Sequence, residues 1–154
     1  MRQFTSAVLI GLLALTPLAL AVNDSDSKPP LRLIEIVRKL EQQGYGPIHE
    51  ISRERGNWEV EVMKGKDSYE SMVDAKTGEV LSQHSDDPER QPPQGSLPLS
   101  ELLEKVAKDS GYTDVEEVSF ERRYWEIEVR KEGVERELHV DPITAKIISD
   151  RIDD

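Results

Sequence analysis

Two hydrophobic rhythms alternate along this chain, and the alternation is written twice. Leu33, Ile36, Val37 and Leu40 recur at steps of three and four residues. That spacing places them on one stripe of a helix predicted over 31–43, with Gly44 as its stop. The period then changes to two. Trp58, Val60 and Val62 alternate with Glu59, Glu61 and Met63, the pattern of a strand with one buried and one wet face. The same order returns later. Leu99, Leu102, Leu103 and Val106 form a second helical stripe ending at Gly111, and Trp125, Ile127 and Val129 then alternate with Glu126, Glu128 and Arg130.

The two passages are copies in register. Trp58 meets Trp125 at an offset of 67, as do Gly44-Tyr45 and Gly111-Tyr112, Asp74 and Asp141, Thr77 and Thr144, and Ser82 and Ser149. A repeat of this kind bounds the architecture before any local assignment. The helical stripes match at 66. Either one residue has been added between stripe and turn, or Ala107 takes the place of Leu40. Ser100 is the expected cap of the second helix, with Glu104 in its first turn. Further strands are expected over 48–53 and 115–122, over 68–74 and 134–141, and over 79–82 and 146–149. The last pair follows tight turns in which Asp74 or Asp141 bonds amides two residues on. Gly78 suits a left-handed position in the first turn. Ala145 stands in its place in the second, so a different backbone is expected there. The predicted class is α+β: two repeats, each one helix packed on a three- to four-stranded antiparallel sheet, with the tryptophans on the helix side.

The ends and the composition add boundaries. Residues 1–21 combine Arg2, an apolar run and small residues at Ala19 and Ala21, which reads as a secretory signal peptide cleaved after Ala21. Residues 22–30 are a polar, disordered leader. Repeat one spans 31–84, a proline-rich linker 85–98, and repeat two 99–154. The chain has no cysteine, which excludes disulfides, thiol catalysis and a lipid-anchored cysteine. The net charge is −11, and because the leading segment carries only Arg2, the remainder stands at −12. That argues against nucleic acid and anionic membrane as partners, and leaves basic proteins or divalent cations. After signal removal no apolar run of membrane length remains, so no membrane insertion is expected. Each repeat holds roughly 50 to 60 residues, near the lower limit for an independent core, so the copies are expected to pack on each other or on a partner.

These residues resemble the PepSY domain family. The resemblance is carried by the helix ending in Gly44 or Gly111, the W-E-V-E-V and W-E-I-E-V strands, and V-D-A-K-T-G-E-V at 73–80, which degenerates to V-D-P-I-T-A-K-I at 140–147. It implies an exported, periplasmic, non-enzymatic module. Family members occur in propeptides of secreted metallopeptidases, in membrane sensors and as small stand-alone proteins. A protein partner, a peptidase or a sensor that the chain inhibits or regulates, is what the resemblance implies. It supplies no catalytic residue.

Candidate chemistry is sparse. His49, His84 and His139 lack metal-ligand spacing, and no metal site or cofactor is expected. His139 alternates onto the face of Glu137 and Asp141. There is no G-x-S-x-G, and Glu59 and Glu61, as neighbours on a solvated face, have no cause for a raised pKa. Trp58 and Trp125 share the apolar face and are expected in the core. The candidate binding surface is therefore the wet sheet face, with Glu59, Glu61 and Glu70 beside Met72 in the first copy, and Glu126, Glu128, Glu137 and His139 in the second. The exposed fourth strand of each copy can accept a partner strand or a second copy as a homodimer.

Overall fold

A computed structural model describes residues 32–153; the expected signal peptide and leader lie outside them. The chain runs through α1 (Leu33–Gln42), β1 (Tyr45–Glu54), β2 (Asn57–Lys64), β3 (Asp67–Val73) and β4 (Val80–Asp86). It continues through α2 (Leu99–Ser110), β5 (Asp114–Glu121), β6 (Tyr124–Lys131), β7 (Val134–Val140) and β8 (Ile147–Ile152). The fold is α+β, with two helices and a single eight-stranded antiparallel sheet in the order β4-β3-β2-β1-β5-β6-β7-β8.

The sheet is two meanders joined at their first strands. Only three residue pairs form the junction: Glu50 opposite Ser119, Ile51 opposite Val118, and Ser52 opposite Glu117. Beyond them the strands diverge. Both helices cover one face. Leu33, Ile36, Val37 and Leu40 of α1 and Leu99, Leu102, Leu103 and Val106 of α2 are all buried, in one cluster with Trp58, Trp125, Ile51, Val118 and Leu138. The tryptophans sit at the centre of this layer, as their alternation predicts. Their indole Nε1 atoms have no hydrogen-bond partner. Phe120 meets the Trp125 ring edge-on at 5.3 Å, and the Arg53 guanidinium lies 4.1 Å over that of Trp58.

The helices are tied at mid-length and at one end. Arg38 Nη2 donates to Glu104 Oε1 at 2.7 Å. The Glu41 carboxylate accepts from both the amide and the hydroxyl of Ser100. Ser100 is thus not the cap of α2. The cap is Pro98, whose fixed φ leads into the helix without needing a donor, and Glu41 from the other helix satisfies the exposed amide of Ser100. Gly44 and Gly111 both take positive φ, 81° and 76°, so α2 absorbs the extra residue between its stripe and its turn.

The second turn departs from expectation. Gly78 has φ 71° and Ala145 has φ 61°, so the two turns share one left-handed geometry. Each is held by its aspartate: Asp74 Oδ1 accepts from the amides of Lys76 and Thr77 at 2.9 and 2.7 Å. Asp141 Oδ1 accepts from the amides of Ile143 and Thr144 at 3.0 and 2.8 Å, and from the Thr144 hydroxyl at 2.8 Å. These bonds offset the steric cost of a Cβ at φ above zero. β4 and β8 are the free edges of the sheet. Each carries an exposed aliphatic residue at the same repeat position, Leu81 and Ile148.

Candidate functional site

The sheet face opposite the helices collects the glutamates. Cross-strand pairing lines them up in two adjacent rows that span the whole sheet. One row runs His84, Glu70, Glu61, Glu50, Ser119, Glu126, His139, Ser149. The other runs Ser82, Met72, Glu59, Ser52, Glu117, Glu128, Glu137, Arg151. The six glutamates expected from sequence and His139 all occupy this face. The junction of β1 and β5 brings the two sets onto one surface.

Glu50 and Glu117 complete the rows and were not legible from the alternation. Their strands carry β-bulges. Ile48 stands opposite Val62 while Glu50 stands opposite Glu61, so His49 is an extra residue. Val115 and Glu117 face Val129 and Glu128 in the same way, with Glu116 extra. A bulge inserts one residue and breaks the period of two. His49 and Glu50 therefore both lie between core residues Ile48 and Ile51, half-buried on the outer face. The one signal in the sequence is that Glu50 and Glu117 recur at the repeat offset.

Packing carboxylates side by side changes their acidity. Partial burial raises the pKa of Glu50, and the charges of Glu61 and Glu117 raise it further. Glu61 is also raised, first by burial; His49 pulls it down, but Asp86, Glu89 and Glu70 add to the rise. This overturns the expectation that Glu61 titrates as a solvated neighbour of Glu59. Its side chain is only half-exposed and is flanked in its row by glutamates. Burial likewise raises Glu126 and Glu128, aided by Glu137 and Glu117 respectively. Glu137 goes the other way: burial pushes it up, but hydrogen bonds from Arg151 and His139 hold it below the usual range.

His139 finds different company from that expected. Its Nε2 lies 2.6 Å from Glu137 Oε1 and 3.4 Å from Glu126 Oε2, and Tyr124 stacks on the ring at 4.2 Å. Asp141 is engaged in its turn instead. His49 lies at the other side of the face. Its Nδ1 is 2.8 Å from the Arg90 carbonyl of the linker. His49 with Glu50 and Glu61, and His139 with Glu126 and Glu137, are the places where an imidazole and two carboxylates converge, each set with one ligand atom per residue within 4.8 Å of the others.

On the helix side, a groove runs beneath linker residues Pro92, Pro93 and Leu97 against Ile48 and Trp125. Glu41 is its one titratable lining residue, and that carboxylate is engaged with Ser100. Such a lining has no nucleophile, base and acid in mutual reach. No helix among the described residues is long and apolar enough to cross a membrane.

Similar structures are distant in sequence. A candidate lipoprotein of Clostridium difficile 630 shares 14% identity at a TM-score of 0.47, over 79% of this chain and 99% of its own. A BLIP-like protein of Bacteroides fragilis shares 12% at 0.30, over 85% and 92%. A protein of Bacteroides eggerthii described as periplasmic shares 12% at 0.29, over 77% and 86%. No curated protein matches the chain. The family model for the peptidase propeptide and YPEB domain matches it twice, over residues 3–84 and 86–151. The chain is thus a tandem pair, and it belongs to the PepSY family of peptidase propeptide and YPEB domains.

Proposed function

We propose that this is a non-catalytic, periplasmic binding protein, exported by its first 21 residues, that modulates a peptidase or a membrane sensor through direct contact. The observation that carries the reading is the acidic face. Eight glutamates stand in two rows on the side of the sheet that neither helix covers. Carboxylates paired with one another across strands destabilise the sheet, so a fold that keeps them on one surface points to a basic partner that relieves the repulsion. The partner's matching feature is a stretch of lysine and arginine, steered by charge at low ionic strength. The free edges of β4 and β8 offer a second contact, strand addition by that partner or by a second copy of the chain. On this reading the two family segments act as one platform, because the face is continuous across their junction.

The test is affinity capture from the periplasm at low salt, with a variant carrying Glu61→Gln, Glu117→Gln and Glu128→Gln alongside the parent. The expected result is a peptidase or sensor retained by the parent and lost with the variant or with added salt. Retention by both proteins alike, or recovery of no partner, would sink the acidic-face reading.

A further inference from the structure

We propose that His49, Glu50 and Glu61 form a binding site for one divalent transition-metal cation of the zinc class, with Glu89 of the linker as the fourth ligand within reach. The first observation is the bulge at His49. It turns His49 and Glu50 to the same face, directly beside Glu61 on β2. One imidazole nitrogen and two carboxylate oxygens then lie within 4.8 Å of one another. Zinc bonds to such atoms are about 2.0–2.2 Å long, so small rotations of two half-exposed glutamates close the set.

The second observation is the orientation of the ring. A backbone carbonyl only accepts hydrogen bonds, so the 2.8 Å contact from His49 Nδ1 to the Arg90 carbonyl places the proton on Nδ1. In the neutral ring the lone pair is then on Nε2, the nitrogen 4.0 Å from the Glu89 carboxylate. Metal-binding histidines are held in this way, with the second nitrogen donating to a carbonyl that fixes tautomer and ring plane. The His49 side chain is only 13% exposed, so the ring is well fixed.

The third observation is what the site lacks. Among the described residues neither Glu50 nor Glu61 is bonded to a lysine or arginine; His49 is the one neighbour that lowers their pKa, against burial and the surrounding carboxylates, which prevail. Two half-buried carboxylates that share a single imidazole and no lysine or arginine are costly, and a divalent ion supplies the missing charge.

The second repeat provides an internal contrast. Its equivalent residues are Glu116, Glu117 and Glu128, with no imidazole, and Arg130 reaches Glu116 at 3.3 Å. Met63 stands where the second copy has Arg130. The other imidazole group, around His139, already has a cation: Arg151 is bonded to Glu137. A metal there would have to displace it. The first repeat alone thus combines a poised imidazole with unneutralised carboxylates.

The site shares Glu61 with the proposed contact surface, but metal titration without any partner reads it alone, so the inference survives or fails separately. The test is calorimetric titration of Zn²⁺ into the full chain, without a histidine tag and at moderate salt, with thermal unfolding recorded alongside. One saturable equivalent and a rise in Tm are expected. His49→Gln and Glu61→Gln should each weaken binding by more than about tenfold, the loss seen even for an outer-shell partner, while His139→Gln leaves it unchanged. Urea unfolding without metal checks that each variant folds. Glu61→Gln, which is isosteric and removes an unpaired charge, decides the matter if His49→Gln does not fold. No saturable binding, equal binding by the parent and the folded variants, or loss in His139→Gln would each overturn the proposal.

Discussion

Ile51 lies directly opposite Val118 at the junction of β1 and β5, and each is the other's counterpart in the repeat, 67 residues away. Arg38 and Glu104, which bridge α1 and α2, are counterparts too, at the helical offset of 66. A residue that meets its own counterpart sits on a two-fold axis. The pseudo-axis therefore passes through the sheet at Ile51 and between the helices at Arg38. Identical residues suit the apolar position and would repel at the charged one. The copies have diverged to opposite charges where the axis demands it.

The Arg38–Glu104 pair can be tested by exchange. Arg38→Glu sets two carboxylates against each other on the axis and should cost about 0.5–1 kcal/mol, the scale of an exposed pair. The double variant Arg38→Glu with Glu104→Arg should recover most of that loss. Urea unfolding of the four-member cycle measures the coupling, and absence of recovery would show that the pair does not hold the helices together.

The two Asp-anchored turns make opposite predictions for the same exchange. Gly78→Ala adds a Cβ at φ 71° and should destabilise by about 1 kcal/mol. Ala145→Gly removes one at φ 61° and should stabilise by about 0.5 kcal/mol, since relief of strain exceeds the loss of one buried methyl. Denaturant midpoints of the two variants check the signs.

Stability should depend on pH with a maximum in the mildly acid range. Glu50, Glu61, Glu126 and Glu128 have folded-state pKa values above the usual one. The folded state therefore binds more protons than the unfolded chain, and stability falls as pH rises through those elevated values. Asp74, Asp141 and Glu137 are held below the usual range, the first two by turn amides and the third by Arg151 and His139 against the effect of burial. Their contribution is present above the unfolded values and is lost as pH falls through the lowered ones. Denaturant unfolding across a pH series should show both limbs. Glu61→Gln and Glu128→Gln should raise stability at neutral pH and flatten the upper limb.

Trp125 is expected to tolerate Phe far better than Ala. Its indole nitrogen has no hydrogen bond to lose, so Trp125→Phe forfeits only volume, at about 1–2 kcal/mol. Trp125→Ala opens a cavity in the core beside Phe120 and the linker groove and should cost about 3–5 kcal/mol. A Phe variant as damaging as the Ala variant would reveal a hidden role for the ring nitrogen.

Most of the fold was legible because it is local. The stripes at Leu33–Leu40 and Leu99–Val106 and the alternation around Trp58 and Trp125 assign each element its buried side. The six expected glutamates and His139 reached the outer face for the same reason. The left-handed backbone at Ala145 is not legible there, because residue type alone sets no φ. The bonds to Asp141 do, and they were implied by its match to Asp74. The role of Ser100 is not legible locally, because the group that satisfies its amide comes from Glu41 of the other helix.

Sequence alone determined that there are two copies, which residues form their helices and strands, and which face of each strand meets water. Those are properties of short-range periodicity, written within each segment. Tertiary structure decided three things: that the meanders join at β1 and β5, that bulges at His49 and Glu116 turn Glu50 and Glu117 outward, and that His49 comes to lie beside Glu61. A bulge exists only relative to the strand it pairs with, and pairing is chosen by contacts between residues far apart in the chain. The acidic surface is thus assembled by register, which no single strand carries by itself.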